Sequence, residues 1–297
     1  MLIAMEIGII YYIALAVLGL CLGSFAGASV WRLRARQLEE DKKIGEHVEK
    51  SEYNRLEKLT KHKLSSDRSM CLNCGYKLEW YDMIPLVSWL FLGGKCRKCH
   101  KKIGYLEPLI ELGVAMFFVL SFMFWPYPLQ TGLQITRLVI WLVAGVPLAI
   151  LFVYDAKWFI LDRAINTTVV VLGLCSSAIL LISTSFSMDT MLSMVGSVLI
   201  LGGLYYVLFK VSGGKWVGGG DPRLGLGLGL LLVDWKLAFI ALFVANLVGT
   251  LLVLPGMLTG KLNRDSRVPF GPLLIIGFVI AGLAGSWLLN LFFYSLV

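Results

Sequence analysis

Three aspartates and four cysteines are the residues of this chain whose type and spacing could do chemistry. Asp221 stands in VGGGDPRLGLGLG, residues 217–229, between a glycine run and an apolar segment. Asp155 and Asp162 stand seven residues apart in LFVYDAKWFILDR. Ionisable groups in apolar sequence of this kind are costly, and by default they mark function. Two carboxylates brought together can share a proton, one acting as base on a water while the other protonates the attacked carbonyl oxygen. That is aspartyl peptide hydrolysis. Gly218, Gly219 and Gly220 would let backbone approach an extended substrate where bulkier residues would not. A structural reading stands beside this one. Asp followed by Pro222 is a good helix start, and Asp155 and Asp162 are placed to be interfacial acids near Lys157 and Arg163.

The cysteines are more specific. In CLNCGYKLEWYDMIPLVSWLFLGGKCRKCHKK, Cys71 with Cys74 and Cys96 with Cys99 form two Cys-x-x-Cys pairs with 21 residues between them. Each pair supplies two thiolates from a tight turn, and four thiolates make a closed tetrahedral zinc site. With every ligand position filled by protein, such a zinc organises a fold rather than activating water. Two disulfides or unliganded thiols are the alternatives, both disfavoured if the segment faces a reducing compartment. Cys21 and Cys175 lie in apolar spans and read as small buried hydrophobes.

The elements that must position these groups are membrane helices. The 297 residues are 58% hydrophobic and 15% charged, with apolar runs too long and too evenly spread for a soluble core. Spans are expected at about 6–31, 106–125, 133–153, 165–184, 190–210, 223–233, 237–257 and 271–294. The sixth, at 11 residues, rises only about 16 Å and must be a sheltered half-span. The net charge of +8 does not point to nucleic acid, because 17 of the 27 Lys and Arg fall between Arg32 and Lys102, in the longest polar region. Positive charge of this kind is retained on the cytoplasmic side. Lys157 and Arg163, then Lys210, Lys215 and Arg223, then Lys261, Arg264 and Arg267 fall on alternate loops with it, whereas WPYPLQTG and STSFSMD carry no Lys or Arg. The economical topology has both termini outside. The first apolar segment lacks a basic start and a small-residue cleavage site, so it reads as a retained helix. Residues 32–68 read as a solvated juxtamembrane arm, with a short surface helix at RLEKLTKHK.

The expected fold is therefore an all-α polytopic membrane protein of about eight transmembrane helices, with a small zinc-binding cytoplasmic domain inserted after the first helix. The divisions are 1–31 for that helix, 32–104 for the zinc domain and 105–297 for a transmembrane aspartyl protease domain.

The order of motifs carries a resemblance. GLCLGSFAGASVWRL, CLNC, EWYDMIPLVSWLFLGGKCRKC, EPLIEL, an Asp before a basic interfacial stretch and GGGD before a basic residue resemble the bacterial type IV prepilin peptidases over most of the chain. The resemblance implies that Asp155 and Asp221 are the catalytic acids. It implies an enzyme of the bacterial inner membrane, with its zinc domain and active site on the cytoplasmic side, that removes the basic leader of prepilins or pseudopilins after a glycine. It further implies methylation of the new N-terminus from S-adenosylmethionine in many members, associated with the N-terminal cytoplasmic region. The chain departs from the family pattern at three places. Leu161, Asp162 and Arg163 stand where the family has leucine or isoleucine, proline and aspartate; Ala26 and Gly27 replace a leucine and an asparagine; and Arg223 replaces a lysine. Two other readings share some features. A presenilin-like intramembrane protease shares the Tyr154–Asp155 and Gly218–Asp221 patterns but has no four-cysteine loop. A proton-coupled transporter using buried acids would want them near mid-membrane.

Overall fold

A computed structural model describes residues 2–60, 68–260 and 268–294. Lys61, His62 and Lys63, at the end of the expected surface helix, and Lys261, Arg264 and Arg267, in the last basic loop, lie outside the described residues. The elements are helices: α1 (Leu2–Ile44), α2 (Lys50–Thr60), α3 (Val87–Phe91), α4 (Leu106–Met123), α5 (Gly132–Trp158), α6 (Arg163–Ser183), α7 (Met188–Val198), α8 (Leu204–Ser212), α9 (Asp221–Leu232), α10 (Trp235–Leu258) and α11 (Phe270–Tyr294). A π-helical turn, Leu199–Gly203, joins α7 to α8. Seven helical runs among the described residues are long and apolar enough to cross a membrane: α1, α4, α5, α6, α7 with α8, α10 and α11. With the 12-residue α9 as a half-span of about 18 Å, these match the expected spans. The chain divides into two compact units, Met1–Val119 and Leu120–Val297, with the boundary inside α4.

In the first unit, α1 continues past the apolar span without a break, because the charged residues after Arg32 are strong helix formers. Its polar extension is not merely solvated. Ala35 and Leu38 bury against Leu56 of α2, and Arg34 grips Glu52 with two nitrogens, at 3.1 and 2.6 Å. Along the apolar part, Gly19 and Gly23 let α1 meet α4 backbone to backbone. A Cβ at either would stand 2.6 Å from the Cα of Ala115 or Glu111, as small residues allow in lipid. Cys21, expected to be buried, is exposed, and so is Cys175 on α6 of the second unit. Both lie on apolar spans, and Cys21 borders a cavity of the first unit.

In the second unit, α9 is the centre. Nine of its twelve residues are buried. Its glycines are the contact surface, as close helix packing requires. A Cβ on Gly225 would strike the Leu201 carbonyl of the π turn, and one on Gly227 would lie 2.9 Å from Val169 of α6. Two serines hold the helix by its backbone: Ser177 Oγ donates to the Leu230 carbonyl at 2.6 Å and Ser197 Oγ to that of Gly229 at 2.9 Å. The extra residue of the π turn opens the α7–α8 run where α9 presses in. Gly225→Ala is therefore expected to destabilise the protein by at least about 1–3 kcal/mol, read as a lower thermal midpoint in detergent. An unchanged midpoint would mean that α9 packs elsewhere.

Candidate functional site

Four helix ends of the second unit supply one site. Asp155 lies in the last turn of α5, which Phe159 closes in a left-handed conformation (φ 57°). Asp221 opens α9, with Pro222 behind it fixing a helical φ. Both are buried, at 6% and 7% exposure. Each carboxylate takes one backbone N–H: Gly271 donates to Asp155 Oδ2 and Gly218 donates to Asp221 Oδ2, both at 2.9 Å. Gly271 is the second residue of α11, where amides have no partner within the helix and the helix dipole is positive, so an acid is well received. The two aspartates interact electrostatically.

Asp221 is thus not an ordinary N-cap. Its side chain turns back to the glycine run instead of forward to the amides of its own helix. Asp162 does cap. Its Oδ1 accepts from Ile165 N at 2.8 Å, fixing the start of α6. It bonds an amide of the helix it starts, which neither Asp155 nor Asp221 does.

Four residues border the acids, and of these the sequence alone singles out only Leu161. Leu161 seats against the glycine beside each acid: a Cβ on Gly220 would lie 2.6 Å from its Cβ, and one on Gly271 3.2 Å from its Cδ2. Asn166 of α6, fully buried, donates Nδ2 to the Gly220 carbonyl at 3.0 Å, while its Oδ1 has no partner among the described residues. Tyr205 of α8, 4% exposed, lies within electrostatic reach of Asp221 and packs on Phe270 at 5.0 Å between ring centroids. Gly271 is the fourth. The signals were present but weak: a lone Asn in an apolar span, and Gly before Pro272 at a helix start. Gly271→Ala should disturb Asp155 directly, since the new Cβ would stand 2.7 Å from its Oδ2. A misplacement of this kind costs about 10²-fold in rate. Wild-type cleavage by folded Gly271→Ala would count against the role in peptide hydrolysis that the sequence leads one to expect of Asp155.

The cysteine cluster belongs to the first unit. It is built from two equivalent turns, 25 residues apart. Gly75 N donates to the Cys71 carbonyl at 2.8 Å and His100 N to the Cys96 carbonyl at 2.9 Å. Each turn passes through a left-handed residue, Gly75 (φ 74°) and His100 (φ 55°), and is closed by a single antiparallel bridge, Met70 with Lys77 and Lys95 with Lys102. Asp82 ties the turns together. It pairs with Arg97 at 2.8 Å, between the second pair of cysteines, and accepts from Tyr76 at 3.4 Å, beside the first. All four Sγ atoms lie within 4.8 Å of one another. Cys71 to Cys99 is 3.9 Å and Cys74 to Cys96 4.0 Å, close to the edge of about 3.8 Å of a tetrahedron with zinc–sulfur bonds of about 2.3 Å. Burial pushes the Cys71 thiol up to about 12. For Cys96 burial also opposes ionisation, but the amides of Cys99 and Lys98 and the neighbouring thiols outweigh it and bring it down to about 7. The donor set and its spacing fit a thiolate-bound metal.

The same unit holds a cavity of about 450 Å³, lined by parts of α1, α2 and α4 and by the cysteine segment.

Residues 17–125 match the bacterial peptidase A24 N-terminal domain. The chain is similar to proteins named prepilin leader peptidase/N-methyltransferase. It is 29% identical to the one from Pseudomonas aeruginosa over 272 residues, 91% of this chain and 89% of the relative. It is 28% identical to the one from Vibrio cholerae, covering 91% and 96%, and 28% identical to the one from Dichelobacter nodosus, covering 93% and 92%. No solved structure matches.

Proposed function

We propose, for a chain that belongs to the bacterial prepilin peptidase family, that Asp155 and Asp221 are the catalytic pair of a membrane-embedded aspartyl endopeptidase. Its substrates are prepilins or pseudopilins, whose basic leader it removes after a glycine at the cytoplasmic face. The observation that carries the reading is the pair itself: two buried carboxylates on separate helices, each held by one glycine N–H, with Leu161 seated against Gly271, which holds Asp155, and against Gly220, the neighbour of Asp221 in the chain. A water between them loses a proton to the charged carboxylate as its oxygen attacks the scissile carbonyl. The protonated partner donates to the carbonyl oxygen, and collapse of the tetrahedral intermediate passes a proton to the leaving amine. Asp155 and Asp221 titrate as a pair, so the proton belongs to both. Asn166 holds the Gly220 carbonyl and so sets where Asp221 begins its helix.

The four cysteines would hold one structural zinc, which would lock the two turns together. The relatives' names carry a second activity, and we propose it here too. S-adenosylmethionine, when bound, would supply a sulfonium methyl group for transfer to the new α-amino group, whose proton would be released. The protein lies in the bacterial inner membrane with both sites on the cytoplasmic side.

Mass spectrometry of a prepilin co-expressed with the enzyme reads both activities at once. The expected product begins after the leader glycine and is heavier by one methyl group. A prepilin recovered intact would overturn the peptidase reading, and a cleaved but unmodified one the methylation reading.

A further inference from the structure

We propose that α3 and the residues leading into it form a membrane-interfacial element. It lies in the leaflet that α4 enters at Leu106, and its partner is the lipid itself, with anionic headgroups above and acyl chains below. This goes beyond the proposed function and does not depend on it.

Met83 to Gly94 contains no charged residue, although it lies in the polar region between the first two membrane spans. Within α3, Val87, Leu90 and Phe91 stand at spacings of three and four, which puts them on one face. That face is uncovered. Phe91 is 88% exposed and Leu90 67%, and Trp80, a few residues earlier, is 72% exposed. Large apolar side chains gathered at a surface in this way mark a contact with a partner or a membrane. The other side of α3 is packed: Trp89 lies against Tyr105 at 5.3 Å between ring centroids, and Gly94 (φ 67°) leaves room for its ring, which a Cβ would meet at 3.0 Å.

The position of α3 is fixed against a membrane span. Leu86, the residue before it, holds a left-handed backbone (φ 57°), which is costly for a leucine. Its N–H donates to Glu111 Oε2 at 2.8 Å. Glu111 stands about 7.5 Å along the axis of α4 from Leu106, so α3 begins beside the opening turns of the span. Interfacial helices bury their apolar face about 5–10 Å into the boundary between headgroups and acyl chains. On the same turns of α4, Leu109 and Leu112 also face outward. The apolar face of α3 and that of the span thus start at one level.

Charge agrees with lipid as the occupant. The two cysteine turns on either side of α3 carry Lys77, Lys95, Arg97, Lys98, Lys101 and Lys102 against Glu79 and Asp82. Basic groups beside an apolar, aromatic face suit an anionic membrane surface. A second copy of the chain would also cover the face, but it would call for neither the level beside α4 nor the basic flanks.

The test places a nitroxide label at Phe91→Cys, and separately at Leu90→Cys, in the full-length enzyme with Cys21 and Cys175 changed to alanine and the other four cysteines held by zinc. The protein is reconstituted in vesicles of phosphatidylethanolamine and phosphatidylglycerol. Power saturation reads collisions of each label with oxygen, which concentrates in lipid, and with a water-soluble nickel chelate. Met116→Cys, on the outward side of α4, is the lipid reference, and Glu46→Cys, in the exposed link after α1, is the water reference. Zinc content and prepilin cleavage report that each protein is folded, and either α3 label suffices should the other fail to fold. The expected result is that the α3 labels collide with oxygen and lose contact with the nickel chelate, as at Met116. Nickel contact like that at Glu46 would overturn the proposal by leaving α3 in water. Labels shielded from both reagents would overturn it in favour of a covering protein, such as a second copy.

Discussion

Asp221→Asn should lower prepilin cleavage by at least about 10²–10⁴-fold, the share that acid–base chemistry contributes, while the protein folds and inserts as before. Asn can still accept the Gly218 N–H that Asp221 accepts at 2.9 Å, so the local backbone keeps its bond. What it cannot do is share a proton with a second carboxylate. Asp155→Asn should behave alike, its amide oxygen accepting from Gly271. Asp162→Asn separates the roles, because Asn caps a helix about as well as Asp and Asp162 is used as a cap. It should leave cleavage within about twofold, and Asp162→Ala should cost about 0.5–2 kcal/mol of stability. Cleavage assays and thermal midpoints on the four variants check the set. Substantial activity in well-folded Asp221→Asn would refute the mechanism, and inactivity of Asp162→Asn alone would move the partner role to that residue.

Removing the metal should have an equally large effect on the first unit. Binding of structural zinc to four-ligand sites contributes an apparent 10–16 kcal/mol or so at neutral pH, and few other contacts hold these turns. Beyond the two bridges, the ties are Asp82 to Arg97 and Tyr76 and a scatter of turn hydrogen bonds. Cys71→Ser with Cys96→Ser takes one ligand from each turn and should remove about one zinc per chain by elemental analysis. It should also make the segment from Ser69 to Ile103 open to protease. Unchanged zinc content in the double variant would exclude this cluster as the metal site. Because α9 and the aspartate pair are built within the second unit, Asp155→Asn and Asp221→Asn should carry normal zinc.

Much of this was legible in the sequence, for reasons that differ by element. The membrane helices announce themselves by length and apolarity, since no other structure satisfies the backbone in lipid. The short α9 was legible too: eleven or twelve residues cannot span, so neighbours must shelter it, and they do through Gly225, Gly227 and Gly229. The Cys-x-x-Cys pairs are local turns whose spacing nearly dictates their shape. That they form equivalent turns was not seen, because Gly75 and His100 look unrelated until their shared left-handed backbone is known.

The sequence by itself determined that the chain is a helical membrane protein, that four thiolates are arranged for a metal, and that acids at the ends of apolar spans are candidates for chemistry. Each of these follows from composition or from contacts a few residues long. The residues alone left Asp155 and Asp162 equal and Asp221 divided between cap and catalyst, and the family resemblance favoured Asp155 with Asp221. The tertiary structure adds how each acid is held. Asp162 and Asp221 each accept from an amide three residues away, Ile165 ahead in the helix Asp162 starts and Gly218 behind in the glycine run, but Asp155 meets an amide 116 residues along the chain, and the Gly220 carbonyl is held by an α6 asparagine 54 residues before it. Local sequence fixes which backbone groups a side chain can reach within a turn. Which distant helix end is brought against it depends on how glycines and serines let α6, α9 and α11 pack, and that is decided by the whole second unit at once.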